Sequence, residues 1–162
     1  MTRIAQAFDD IHEAESELAD TLRILAERHA SDVDVYHVAH LLASRCAHQL
    51  ELLAPHAERY GAYGSTDIDT RKAVSDGTRR LGSALPVQDD ASGVVLLLDL
   101  QSLYRAAHGA ELAWVVLLQV AQAARDDRLV SAASVGRDEA ERRWKWLRTK
   151  IKESCPQVLL AS

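Results

Sequence analysis

The strongest constraint on this chain is a spacing. Ile4, Phe8, Ile11, Glu15, Leu18, Leu22 and Leu25 follow one another at alternating intervals of four and three residues, the repeat that aligns one face of an α-helix for packing in a bundle. A comparable spacing recurs three more times. Val35, Ala39, Leu42, Cys46, Leu50, Leu53 and Ala57 form a second stripe, and Leu100, Leu103, Ala107, Ala110, Trp114, Leu117 and Ala121 a third. The fourth runs through Leu129, Ala133, Gly136, Ala140, Trp144, Leu147 and Ile151. Aromatic residues are only 5% of the chain although 48% is hydrophobic, so the expected core is Leu, Val and Ala, with Trp114 and Trp144 its largest side chains.

The boundaries follow from caps and breakers. Helices are predicted over about 2–28, 32–60, 92–125 and 127–153, within a single domain spanning 1–162. Ser31 or Asp32 is placed to cap the second helix and Asp126 or Asp127 the fourth. Gly61 and Gly64 close the second, and Pro156 is expected to stop the fourth. The two short turns make antiparallel hairpins, whereas the glycine-rich connection over 61–91 is long enough to run the length of a bundle and make helices two and three parallel. The predicted fold is therefore all-α, an up-down-down-up four-helix bundle with a long crossover between helices two and three.

Charge and motif content narrow the function classes. A net charge of −5 gives no basic footprint for nucleic acid. The apolar region 94–124 is broken by Asp99, Arg105, His108 and Glu111, so no membrane span is expected. The chain opens without a secretory leader, and Cys46 and Cys155 read as free thiols, which points to the cytoplasm. Phosphate-binding glycine loops, nucleophile elbows and paired-cysteine motifs are missing from the sequence, which leans away from an enzyme.

Four helices of comparable length with one bundle-length crossover resemble the ferritin-like superfamily, which includes rubrerythrins and other di-iron carboxylate proteins. The resemblance is one of topology and covers nearly the whole chain. It implies a di-metal centre built from a Glu on each of two helices and a Glu-x-x-His on each of the other two. Here the corresponding core-facing pairs are Cys46 with Gln49 on the second helix and Ala140 with Arg143 on the fourth. The implied ligand set is incomplete, and the leading expectation is a structural or partner-binding role with no cofactor.

One residue still asks for an explanation. Glu15 stands in the apolar stripe of the first helix, and a buried carboxylate must be protonated, hydrogen-bonded, paired or bound to a cation. Arg45 and Arg143 are its candidate ion-pair partners. Glu111 falls where the resemblance implies a third-helix carboxylate, with His108 one turn away. Glu15, His108 and Glu111 are thus the candidate metal ligands of the alternative reading, a non-standard di-metal oxidase or metal-handling protein using iron or manganese. His12 with Glu15, His48 with Glu51 and His108 with Glu111 repeat a His-x-x-Glu spacing, and His37, His40 and His48 form a row on the outer face of helix two. Leu41 and Leu52 interrupt that polar face beside Arg45, and Trp146 lies off its own stripe. Leu41, Arg45, Leu52 and Trp146 are the expected interface of a homodimer, a habit that the resemblance also implies, or of another protein partner.

Overall fold

A computed structural model of the chain describes residues 3–63 and 92–161. Apart from its first three residues, the expected crossover lies outside the described residues. Four helices account for nearly all the rest: α1 (Arg3–Arg28), α2 (Val33–Arg59), α3 (Ser92–Ala123) and α4 (Asp127–Leu160), with no strand among the described residues. The fold is all-α, as the four stripes require. No described helix is long and apolar enough to cross a membrane.

Helix α1 packs against α2 and α3, and α4 packs most extensively against α3 and most lightly against α2. Two clusters fill the interior. One gathers Phe8 and Ile11 of α1, Leu53 and Ala57 of α2, Leu117 and Ala121 of α3, and Leu129 and Ala133 of α4. The other joins Leu18, Leu22 and Leu25 to Val35, Ala39 and Leu42, with Leu100, Leu103 and Leu147. The predicted stripe of α3 is buried at every position.

Two stripes are corrected in their polar positions. Arg143 is buried in α4 and Trp144 is half-buried, while in α2 Gln49 is buried and Leu50 half-buried. The reason is geometric. Steps of four and three from Ala133 lead through Gly136 and Ala140 to Arg143 and then Leu147, and steps from Cys46 lead to Gln49 and then Leu53. The backbone keeps its phase whatever side chain falls on it.

The helix ends show how the chain turns. Asp32 caps α2 by accepting the Val35 N–H at 3.1 Å, and Asp126 caps α4 by accepting the Leu129 N–H at 3.1 Å. At the end of α2, Gly61 takes a left-handed conformation (φ 69°), with the Ala62 N–H returning to the Ala57 carbonyl at 2.9 Å. The same turn follows α3 with Arg125 at the left-handed position (φ 54°) and the Asp126 N–H returning to the Ala121 carbonyl at 3.1 Å. Helix α3 accordingly ends a little before the expected residue. Pro156 does not stop α4, which continues to Leu160. Beyond the proline, Val158 packs over the start of α3, where a β-carbon on Gly93 would meet its methyl at 3.0 Å.

Candidate functional site

Glu15 sits at the waist of the bundle, and neighbouring helices converge on its carboxylate. It is 0% exposed and Arg143 is 1% exposed. Arg143 Nη2 of α4 donates to Glu15 Oε1 in a buried ion pair, and Trp114 Nε1 of α3 donates to the same oxygen at 2.7 Å. Arg143 Nη1 reaches Cys46 Sγ of α2 at 3.2 Å. Of the two expected partners, Arg143 takes the pair, while Arg45 approaches Glu139 at 3.8 Å. Burial first, and then the Glu15 charge, push the Cys46 thiol far above its ordinary range, so the sulfur stays protonated.

This waist requires a glycine. Gly136 lies within α4 directly over Trp114, and a β-carbon there would overlap the six-membered part of the indole ring. The absence of a side chain lets the ring approach the α4 backbone closely while the indole N–H reaches Glu15. Two atoms of the waist, Glu15 Oε2 and Arg143 Nε, are buried without a hydrogen-bond partner. The net worth of such a pair is small, because desolvation offsets most of the attraction, yet losing either member alone is costly.

His108 and Glu111 belong to a different group. Trp144 Nε1 donates to Glu111 Oε2 at 3.0 Å, His108 Nδ1 lies 3.6 Å from the same oxygen, and the His108 and Trp144 rings stack with centroids 4.6 Å apart. Arg148 covers the Trp144 ring at 5.0 Å. This half-buried aromatic patch on α3 and α4 explains Trp144 and occupies Glu111. Glu15, His108 and Glu111 are not brought together, and among the described residues no group of three or more His, Cys, Asp and Glu is arranged to hold a metal ion. The side chains at the waist do not fit a ferritin-type di-metal centre, because a guanidinium stands against its one carboxylate and a thiol, an amide and an indole occupy the neighbouring positions.

The other His-x-x-Glu pairs disperse as well. His48 and Glu51 are exposed and 3.7 Å apart, and the His12 ring lies against Tyr63 with centroids 5.0 Å apart. Within the histidine row, His40 pairs with Glu27 at 2.9 Å and His37 stands edge-on to Tyr36.

A second buried charge group, which sequence reasoning missed, lies where the end of α1 meets the start of α3. His29 Nε2 and Asp99 Oδ2 are 2.7 Å apart, with Arg28 Nη1 3.5 Å from the same oxygen. One further step of four from Leu25 along the α1 stripe reaches His29, which is the signal that finds it. A cavity of about 410 Å³ adjoins this group, lined by His29, Ser31, Asp32, Ser92, Gly93 and Leu96.

The expected interface residues cluster toward the lightly packed seam of α2 and α4. Leu41 and Leu52 are 50% and 49% exposed. Arg45 reaches across to Glu139, and Trp146, one heptad on from Glu139, is half-buried against the core. Lys150 closes one end of the seam on Asp34 at 3.1 Å. Farther along, the seam opens into a mostly apolar cleft of about 300 Å³ that reaches Trp114.

These features define a class: a four-helix bundle with a charged pair locked inside its waist and an apolar cleft along one seam. No protein-family model matches the chain, and neither a curated protein nor a solved structure is significantly similar to it.

Proposed function

We propose that the chain is a ferritin-like bundle, up-down-down-up with its crossover between α2 and α3, that acts in the cytoplasm as a homodimeric, partner-binding protein without a resident di-metal centre. The observation that carries this reading is the Arg143 guanidinium against Glu15. A fixed positive charge stands where a metal-binding bundle needs a cation site, and it pairs with Oε1 of the one carboxylate that the core holds there. The contacts of the helix ends support the topology: starts of α1 and α4 meet ends of α2 and α3 in one cluster. Leu41 and Leu52, exposed beside Arg45 near the α2–α4 seam, support a docking face on that side.

Two measurements test it. Elemental analysis of protein purified from its native host is expected to find iron and manganese far below one equivalent, and stoichiometric metal overturns the reading. Light scattering after size-exclusion chromatography is expected to give a dimer mass that falls to the monomer in the Leu41→Asp, Leu52→Asp double variant. A monomer in the unaltered protein overturns the dimer.

A further inference from the structure

Helix α3 turns an apolar strip to the outside. Val94, Leu98, Leu112 and Val116 are 46–63% exposed and lie opposite the buried stripe that runs from Leu100 to Ala121. They share one side because the steps between them, 4, 14 and 4 residues, are each close to whole turns. The exposed side of α4 is charged by contrast, with Asp138, Arg142, Lys145 and Arg148. A line of large apolar side chains left uncovered on one helix of a bundle marks a contact surface.

The order of residues along the strip says what covers it. Arg105 is exposed and stands at the centre, with Val94 and Val116 eleven residues to either side, Leu98 and Leu112 seven, and Gln101 and Gly109 four. The apolar positions therefore read alike in both directions. A second α3 laid antiparallel across a twofold axis at Arg105 puts Val94 on Val116 and Leu98 on Leu112. It also puts the Gln101 side chain over Gly109, around whose missing β-carbon there is open space. The axis brings two Arg105 guanidinia together, and Arg105 makes no ion pair among the described residues. Helix α1 answers that charge. Glu17 lines the groove of about 320 Å³ between α1 and α3 together with Arg105, Thr21 and Ser102. A twofold axis at right angles to α3 leaves the grooves of both copies on the same side, so two guanidinia meet two carboxylates.

We infer that the outer face of α3 is a self-association surface, on which a second copy of this chain docks its own α3 antiparallel about a twofold axis at Arg105. From Val94 to Val116 the contact runs about 33 Å, and a helix about 10–12 Å wide covers roughly 400 Å² of each copy over that length. A standard stable interface covers about 800 Å² per partner, so this association is weak and reversible. Helices α2 and α3 occupy opposite corners of the bundle, each packing on α1 and on α4. The contact therefore goes beyond the proposed dimer face at Leu41 and Leu52 and can form alongside it.

Two measurements on the full chain test it. Sedimentation equilibrium is expected to give a mass at least about 1.5-fold higher at about 0.5 mM than at about 10 µM. The increase should vanish in the Leu98→Asp, Leu112→Asp double variant and in Arg105→Glu, which sets four carboxylates at the axis, and should persist in Leu41→Asp, Leu52→Asp. No growth at the higher concentration, or growth that survives Leu98→Asp, Leu112→Asp, overturns the inference. Failure of the dimer face at Leu41 and Leu52 shows separately, as a monomer mass at the lower concentration. Disulfide trapping with diamide in a Cys155→Ser background tests the register. Arg105→Cys, on the axis, should cross-link to its own copy, because facing Cα atoms of helices about 8–10 Å apart come within the disulfide range of about 4.4–6.8 Å. Leu98→Cys and Leu112→Cys should each cross-link slowly alone and at least about fivefold faster when mixed. Equal rates alone and mixed overturn the twofold axis at Arg105.

Discussion

The waist and the ends of this bundle hold buried or half-buried charge in opposite ways. At the waist, Glu15 and Arg143 are sealed on all sides, with Trp114 as a further donor and no titratable base. At one end, Asp99 is held by His29 and Arg28 beside a cavity about 410 Å³ in volume. At the other, Asp126 collects the Leu129 N–H, the Tyr60 hydroxyl at 2.8 Å and Arg59 at 2.9 Å in an open setting. Water can substitute for a lost partner at the ends and cannot at the waist. The same chemistry, a carboxylate with cationic and neutral donors, therefore carries very different penalties for disruption.

The largest expected effect breaks the waist. Arg143→Met leaves Glu15 buried with only an indole donor and should destabilise the fold by about 3–5 kcal/mol in urea unfolding at neutral pH. The double change Glu15→Leu, Arg143→Met removes both charges and should recover most of that loss, because no ion is left stranded. A single variant that costs less than about 1 kcal/mol would mean that water reaches Glu15 after all. Next comes the glycine over the indole. Gly136→Ala forces Trp114 away and should cost about 1–3 kcal/mol, whereas Gly109→Ala, whose β-carbon meets open space, should gain up to about 1 kcal/mol from helix propensity.

The waist also shows how much of the molecule was readable in advance. Four long helices and most of the large apolar core positions were legible, because spacing specifies a helical face, whereas flanking Ala5, Ala7, Ala19, Ala26, Ala43 and Leu97 are buried beside the stripes rather than on them. Glu15 was legible for the same reason, as a charge on an unbroken stripe. Arg143, Gln49 and His29 follow the same arithmetic, yet a reading that prefers apolar residues steps to Trp144 and Leu50 and stops at Leu25. Asp99 lies beside its stripe rather than on it, so no spacing points to it. The partnering of Glu15 with Arg143 rather than Arg45 needed the relative rotation of α4 and α2, which pattern within a single helix does not contain. The end of α2 was marked by Gly61, while the equivalent turn after α3 was hidden because an arginine occupies the left-handed position.

At the α1–α3 end, His29→Leu removes the closest partner of Asp99 but leaves Arg28 and the adjoining cavity. The expected loss is about 1–2 kcal/mol, smaller than at the waist, measured by the same urea titration. A loss equal to that of Arg143→Met would erase the contrast between the two regions and place Asp99 in an equally dry site.

The opposite end supplies the smallest effects, of both signs. The Leu129 N–H, ahead of the Tyr60 and Arg59 donors, holds the Asp126 carboxyl below its ordinary range. A carboxylate favoured by folding binds fewer protons in the folded than in the unfolded chain. Its contribution is therefore present at neutral pH and lost as pH falls through the folded-state pKa. Asp126→Ala should cost about 1 kcal/mol at pH 7 by removing the cap of α4. The gap between variant and unaltered protein should close in acid, and a gap that is constant down to the acid transition would assign the effect to something other than the charged cap. One residue earlier the sign reverses. Arg125 holds a left-handed conformation that Gly61 adopts without strain at the corresponding turn. Arg125→Gly should therefore stabilise the bundle by about 0.5–1 kcal/mol, seen as a higher urea midpoint with unchanged slope. A destabilising result would mean that the arginine side chain contributes more to this end than its exposed position indicates, and would move the α3–α4 turn from the loosely held to the tightly held part of the molecule.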